Sequence, residues 1–228
     1  MTRDAEVLDA ARQLSQALRP GDLDATLERI TRAAVEVLPE VDYASITVKH
    51  ASGHLETAAP TDEAIIKLDA AQYQLQEGPC YESATETVHV LSPHLADDVR
   101  FPRYAPVAVR AGILAQAGLR LFDTPTANGA LNLYSVHEGS FEDLGTLHEL
   151  FVHHAATALA YAREIGQLQE AVKTRQVIGQ AVGVTMERFG LNEARAFGFL
   201  TRLSQDTNVK LRVVAERLLE ETGKDQDR

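Results

Sequence analysis

A long heptad pattern in the second half of the chain constrains the fold more than any other feature of the sequence. Mostly apolar side chains, with one histidine among them, recur at alternating steps of three and four residues for about four heptads, without a proline, and Arg175 follows in register. At about 1.5 Å per residue, this helix would extend for roughly 45 Å, further than one small domain can cover. The pattern therefore predicts a coiled coil and a parallel homodimer. Its predicted seam consists of Leu144, Leu147, Phe151, His154, Ala158, Tyr161, Ile165, Leu168 and Val172.

A second interpretation of the pattern stays open. The first half of the helix would pack on the sheet of an N-terminal domain, and the second half would be the first helix of a C-terminal bundle. Both interpretations can hold together, because Gly166 lies between the two halves. His153 and His154 are adjacent and point to different helix faces, so they are not expected to share a metal ion. We predict no metal site and interpret His154 as a residue of the seam or the core.

The charge of the chain is distributed unevenly. Its net charge is −11, but residues 165–228 hold 10 basic and 9 acidic residues, while the remainder holds 12 basic and 24 acidic residues. An acidic body repels nucleic acid, so any contact with a polyanion is expected from the C-terminal part alone. The single cysteine, the lack of a signal-peptide pattern and the lack of an apolar run of roughly 20 residues predict a cytoplasmic protein without membrane contact.

The N-terminal part of the sequence predicts an antiparallel α+β domain. Helical spacing covers residues 4–19, and Asp22 is placed to cap a second helix that ends before Pro39. Another helix is expected over 61–74 and a short one over 81–85, followed by a proline-punctuated, largely irregular segment. An Asn-Gly pair at the end of residues 123–129 indicates a hairpin turn. Strands are predicted over Tyr43–Val48, His54–Ala58, Thr87–Leu91, Ala111–Phe122 and Ala130–Val136.

Three segments of this domain resemble GAF domains, which are ligand-sensing folds related to PAS domains. They are Glu77–Cys80, Asp97–Tyr104 and the hairpin from Gly112 to Val136, and the resemblance covers roughly residues 20–160. It implies a sensor domain over residues 1–160 with a possible small-molecule ligand, although the cofactor remains unknown. Cys80 is the one candidate for a ligand or redox role, although a lone cysteine is more often structural.

Three short helical patterns follow one another near the end of the chain, with almost no connecting residues. The apolar positions predict a three-helix bundle in which Phe189 and Phe197 face inward. Asn192 is expected to cap the second helix and Asn208 the third. This region resembles the ANTAR domain, the RNA-binding module of transcription antitermination regulators. The resemblance rests on Arg175, Ile178–Ala181, Gly183, Met186, Ala194, Phe197, Leu200, Ser204, Gln205, Asn208, Lys210–Arg212 and Ala215.

The resemblance divides the C-terminal part into a connecting coiled-coil helix over 143–175 and an ANTAR domain over 165–222. The family usually has lysine at the position of Val182, so an RNA contact made by that lysine in relatives would here be lost or made by a neighbouring residue. Arginine and lysine supply phosphate contacts, and amide and hydroxyl groups can read splayed bases. Arg195 and Arg217 are interpreted as ordinary surface residues. The predicted RNA-binding residues are Arg175, Gln180, Arg188, Arg202, Ser204, Gln205, Asn208, Lys210 and Arg212.

These features predict a signal-responsive regulator rather than an enzyme. The sequence has no P-loop, no GxGxxG after a strand, no HExxH and no CxxC, and no catalytic residues are predicted. The resemblance to the ANTAR domain implies that the protein binds paired stem-loops in nascent mRNA and thereby prevents transcription termination. The alternative is a small-molecule or redox sensor whose C-terminal bundle docks on a protein partner. A DNA-binding regulator is less favoured, because no helix-turn-helix with a clear recognition helix is present.

Overall fold

The computed structural model describes residues 22–38, 40–86 and 89–226, so the helix predicted over residues 4–19 lies outside the described residues. The described chain forms two compact units, with the boundary between Arg163 and Glu164. Among the described helices, none combines the length and apolarity needed to cross a bilayer.

The first unit is built on a five-stranded antiparallel sheet with strand order β2-β1-β5-β4-β3. Helices flank this sheet, which confirms the predicted α+β class. The strands are β1 (Tyr43–His50), β2 (Leu55–Ala58), β3 (Val90–Ser92), β4 (Ala115–Asp123) and β5 (Ala127–Ser135). The helices are α1 (Leu23–Val37), α2 (Glu63–Leu75), α3 (Pro79–Glu86), α4 (Ala105–Arg110) and the first part of α5 (Thr146–Phe189).

The two faces of the sheet differ in polarity because side chains alternate along each strand. On β1, Ala44, Ile46 and Val48 join the apolar core that includes α1 and the first part of α5. Ser45 and Thr47, between them, are also buried but hydrogen-bond to residues on the opposite side of the sheet. One face of the sheet is therefore an apolar core, and the other holds a buried polar cluster.

Two parts of the first unit differ from the prediction. The proline-rich segment was expected to be irregular, but it contains α4, where Pro106 occupies the second helical position and needs no amide hydrogen there. The hairpin turn was expected to end at Asn128 and Gly129, but both residues already pair with β1 and β4. The hydroxyl of Thr124 closes the turn instead, by donating to the carbonyl of Ala127 at 2.7 Å.

The heptad seam divides into two environments. Phe151 and Ala158 are buried in the apolar core of the first unit, and Leu144 and Leu147 pack partly against it. His154 is partly buried, with Nδ1 2.9 Å from the carbonyl oxygen of Leu150. The later seam positions Tyr161, Ile165, Leu168 and Val172 are exposed. The sheet therefore covers the first half of the seam, as the second interpretation expected, and pairing of the second half with another copy stays a prediction.

Close approach of α3 to β4 requires glycine at position 118. A Cβ added to Gly118 would lie 2.5 Å from the carbonyl oxygen of Pro79, a backbone atom that a side-chain rotation cannot move. Gly118→Ala is expected to lower the free energy of unfolding of the first unit by about 2 kcal/mol, through displacement of α3. Urea unfolding followed by far-UV circular dichroism measures this loss. Gly145→Ala is the control, because a Cβ there meets nothing within 4 Å.

Candidate nucleic-acid interface

The second unit consists of the end of α5 followed by α6 (Glu193–Thr207) and α7 (Leu211–Gln226). Its core is made largely of small side chains, which let the helices approach closely. Val182 belongs to this core with 7% exposure, so a lysine there would have to extend its stem along the surface to bring its ammonium group to solvent. The buried core residues are Ala181, Val182, Ala196, Leu200, Val214 and Ala215.

Tight turns position the three helices. Gly190, with φ of +62°, ends α5, and the amide of Leu191 donates to the carbonyl of Met186 at 3.1 Å. Asn192 caps α6 as predicted, because its side chain accepts from the amide of Arg195 at 3.0 Å. Asn208 was predicted to cap the start of the third helix, which is wrong. It ends α6 in the left-handed conformation, with φ of +52°, which asparagine tolerates better than most residues.

Most of the predicted RNA-binding side chains lie at the surface of the second unit. Ser204 differs, because its hydroxyl donates to the carbonyl of Val209 at 2.6 Å and so holds the connection between α6 and α7. The exposed members of the predicted set are Arg175, Gln180, Arg188, Arg202, Gln205, Asn208 and Lys210.

Arg212 is committed to ion pairs within the unit. Its guanidinium contacts the carboxylate of Glu170 on α5 and, through Nε, that of Glu216 one turn further along α7 at 2.7 Å. Two carboxylates compete with any phosphate for this side chain, so Arg212 first serves to join α7 to α5. Neither Arg202 nor Lys210 has a carboxylate within ion-pair distance among the described residues, so both are better placed to meet phosphate.

Two phenylalanines that were predicted to face the core lie instead at the surface. Phe189 is 54% exposed and Phe197 is 46% exposed. The small core, which includes Ala181, Ala196 and Ala215, is buried without either ring. The sequence interpretation also overlooked Phe199, which is 46% exposed and contacts Phe189. Arg195 lies four residues before Phe199 and Arg202 three residues after it, and this spacing in the sequence could have indicated an aromatic residue on the exposed, basic side of the helix.

An apolar groove of about 880 Å³ runs between α5 and the start of α6. Gly179, Val182, Gly183 and Met186 contribute from α5, and Phe197 contributes from α6. The polar and charged residues that line the groove include Arg175, Asn192 and Glu193. Arg175 is the only member of the predicted RNA-binding set among the residues that line the groove, so the groove and the predicted RNA-binding surface are largely distinct.

The first unit contains a buried polar cluster centred on the carboxylate of Asp69. Oδ2 accepts from Ser45 at 2.8 Å and from Thr57 at 3.0 Å, and Oδ1 accepts from Tyr134. Burial raises the pKa of Asp69 to about 6, although these hydrogen bonds favour the ionised form. The cluster therefore ties α2 to three strands, β1, β2 and β5, through one titratable group.

Cys80 lies in the same buried region and is fully covered. Gln116 donates through Nε2 to Sγ at 2.7 Å, and burial raises the pKa of the thiol well above its ordinary value. A protonated thiol without solvent access is a poor nucleophile and a poor redox sensor. This placement favours the structural role of Cys80 over the ligand or redox role.

The two sequence segments around Glu77 and Arg103 meet in space. The Glu77 carboxylate accepts from the backbone amides of Arg103 and Tyr104 at 2.6 and 2.9 Å, and from the Arg103 guanidinium at 2.8 Å. Burial opposes ionisation, yet these hydrogen bonds hold the pKa of Glu77 below its ordinary value. Both segments therefore fasten α2 to α4 within the first unit.

Comparison with known proteins identifies the two units. Residues 166–219 match the ANTAR domain family. Over 190 residues, the chain is 28% identical to the transcriptional regulatory protein PdtaR of Mycobacterium tuberculosis, covering 73% of this chain and 90% of that protein. The C-terminal unit is therefore an ANTAR domain.

Solved structures show the fold of the N-terminal part. The GAF domain of a phosphoenolpyruvate-protein phosphotransferase from Coxiella burnetii has a TM-score of 0.52 at 17% identity, covering 73% of this chain and 99% of that chain. The N-acylhomoserine lactone dependent LuxR family transcription factor CepR2 from Burkholderia cenocepacia has a TM-score of 0.55 at 15% identity, covering 70% and 99%. The N-terminal unit therefore has a GAF-type fold, and the ANTAR domain follows it in the chain.

Proposed function

We propose that this protein is a signal-responsive regulator that binds paired stem-loops in nascent mRNA and thereby prevents transcription termination. The observation that carries this proposal is the ANTAR domain over residues 166–219, since ANTAR domains bind RNA in antitermination regulators. PdtaR, to which the chain is similar, is named as a transcriptional regulatory protein. The exposed cations of the second unit supply the phosphate contacts that this function requires.

The proposal assigns three roles along the chain. Residues 1–160 form the GAF-type sensor, with a possible small-molecule ligand whose identity is open. Residues 143–175 transmit the signal through the connecting helix, and residues 165–222 bind the RNA. The exposed second half of the seam, from Tyr161 to Val172, pairs two copies, so that two bundles meet two stem-loops. Such a regulator of nascent transcripts acts in the cytoplasm and needs no catalytic residues.

Removing two exposed cations tests the RNA-binding surface. Arg202→Ala combined with Lys210→Ala is expected to weaken binding of a two-hairpin leader RNA about tenfold at physiological salt. The slope of log affinity against log salt concentration should fall by about two, because two phosphate contacts are lost. Electrophoretic mobility shifts at several salt concentrations measure both quantities.

The matched control removes the same charge from the sensor unit. Lys49→Ala combined with Arg110→Ala also deletes two cations, and it is expected to leave affinity and salt slope unchanged. An equal loss in both double variants would indicate that bulk charge, rather than this surface, governs binding. If the variant with Arg202→Ala and Lys210→Ala kept the affinity and the salt slope of the wild-type chain, the site assignment would be contradicted.

The apolar groove favours a second candidate function. A groove of about 880 Å³ with Val182, Met186 and Phe197 in its lining suits an apolar segment of a protein partner better than it suits RNA. In that case the C-terminal bundle of a small-molecule sensor docks on a protein. This candidate predicts no salt-dependent retention of RNA by the full chain, which the same mobility-shift titration measures.

A further inference from the structure

An exposed pair of aromatic rings lies on the ANTAR domain, outside the apolar groove. The ring centroids of Phe189 and Phe199 are 5.8 Å apart, with an angle of 42° between the ring planes. Both rings stay about half exposed although they contact each other. Large apolar side chains that are grouped at a surface commonly mark a binding site.

The local sequence explains why these rings meet at the surface. Gly190 ends α5 directly after Phe189, and Asn192 starts α6, so the two helices fold back on each other. On α6, Ala196 and Leu200 occupy the buried face. At 100° per residue, Phe199 projects from the side of this face opposite to Phe197, which lines the groove. The pair therefore forms a surface separate from the groove.

Cations flank the exposed ring of Phe199. Arg195 lies one turn before it and Arg202 one turn after it, on the same side of α6. In the part of the chain that the structure describes, neither guanidinium has an ion-pair partner, and Asp206 lies two turns beyond Phe199. The two arginines are separated by about 10 Å along the helix axis. An aromatic platform between two cations matches the chemistry of an unpaired nucleotide, a flat base with a phosphate on either side.

We propose that the Phe189–Phe199 pair is a stacking platform for an unpaired base in the loop of the bound stem-loop. The base stacks on the exposed face of Phe199, Phe189 supports the ring from the other helix, and Arg195 and Arg202 meet the adjacent phosphates. This inference rests on the proposed RNA-binding function and deepens it, since it specifies a loop base as the recognised element. An apolar protein segment on the same platform would leave both arginines without anionic partners, which favours RNA as the occupant.

A pair of matched substitutions tests the platform. Phe199→Leu keeps an apolar side chain but removes the flat ring, and it is expected to weaken binding of the two-hairpin RNA about tenfold, within the range for loss of one base stack. Phe197→Leu is the control, because Phe197 has the same exposure on the same helix but faces the groove. It should bind RNA like the wild-type chain. An RNA whose loop nucleotides are abasic should bind the wild-type chain weakly. Its affinity for Phe199→Leu should be the same as for the wild-type chain.

A tryptophan reporter gives a second readout that does not depend on affinity. The chain contains no tryptophan, so Phe199→Trp introduces a single indole at the platform. Stacking of a loop base is expected to quench its fluorescence when the two-hairpin RNA is added, and the abasic RNA should not quench it. Phe197→Trp should show little change with either RNA.

The outcomes separate this inference from the proposed function. One outcome overturns the platform and leaves the proposed function standing. In that outcome, RNA binding depends on Arg202 and Lys210 but is unchanged in Phe199→Leu, and RNA does not quench the fluorescence of Phe199→Trp. No RNA binding by wild type overturns both. A loss of dimer in Phe199→Leu, detected by light scattering and accounting for the whole loss of affinity, would place a second copy on the rings and also overturns the platform.

Discussion

Replacing Leu168 and Val172 with glutamate is expected to convert a homodimer into a monomer and to weaken binding of a two-hairpin RNA about a hundredfold. The two side chains are 60% and 63% exposed in a single chain, on the half of the seam that the sheet does not cover. In a parallel pair, each glutamate would face its own copy across the seam, where charge repulsion and lost apolar burial act together. The loss of affinity follows because two linked sites gain about a hundredfold or more from joint binding.

Ala160→Glu combined with Gln167→Glu is the control for this dimer prediction. Both positions are exposed and lie outside the seam on the same helix, so the control adds the same charge without facing the partner. Light scattering should show a dimer for the control and a monomer for the seam variant. A single-hairpin RNA should bind both equally. A seam variant that stays dimeric would contradict the coiled-coil assignment.

Asp69→Ala is expected to lower the free energy of unfolding of the first unit by about 4 kcal/mol. The substitution removes the acceptor shared by Ser45, Thr57 and Tyr134, so buried hydroxyl groups lose their partner and a small cavity forms. Each of these hydroxyls belongs to a different strand, and Asp69 belongs to α2. The loss should therefore extend to the packing of α2 on the sheet, seen as faster hydrogen exchange in that helix.

The same carboxylate makes stability depend on pH in a defined direction. The pKa of Asp69 is raised in the folded chain, from 3.8 to about 6, so the folded state holds its proton more tightly than the unfolded state. Between about pH 4 and pH 6, the unfolded state binds fewer protons than the folded state. The free energy of unfolding therefore falls as pH rises through this range. This group alone should lower the free energy of unfolding by about 3 kcal/mol across that range.

Urea unfolding at pH 4.5 and pH 7 compares wild type with Asp69→Asn, which keeps the size of the side chain but cannot ionise. The difference in stability between wild type and variant should change with pH in the stated direction. The exposed carboxylate variant Asp97→Asn should follow wild type at both pH values. An identical pH dependence for wild type and Asp69→Asn would show that Asp69 does not titrate in this range.

Local patterns in the sequence were sufficient to predict much of the secondary structure of the first unit. Alternating β-branched residues predicted β1, and a capping aspartate at position 22 predicted the start of α1, where its side chain accepts from the amide of Ala25. The turn between β4 and β5 was placed too late, because Asn128 and Gly129 resemble a turn locally. In the fold, pairing with two neighbouring strands outweighs that preference.

In the candidate site, the sequence determined which residue types lie on the C-terminal helices, and the tertiary structure decided which of them remain accessible. Arg202 and Arg212 are alike as residues, but folding brings Glu170, 42 residues away in the chain, against Arg212. No carboxylate of the described residues lies within ion-pair distance of Arg202. Helical periodicity likewise placed Phe189 and Phe197 on the apolar faces of their helices. It did not show whether the core of the second unit includes them.

The heptad seam shows the same division along a single helix. Spacing by itself determined that one apolar stripe runs from Leu144 to Val172, because that property depends only on the helical repeat. Whether a stripe needs a partner depends on what else covers it, and this is a property of residues distant in sequence. The sheet buries Phe151 and leaves Leu168 exposed, so only the folded chain divides the stripe into a core half and a half available for pairing.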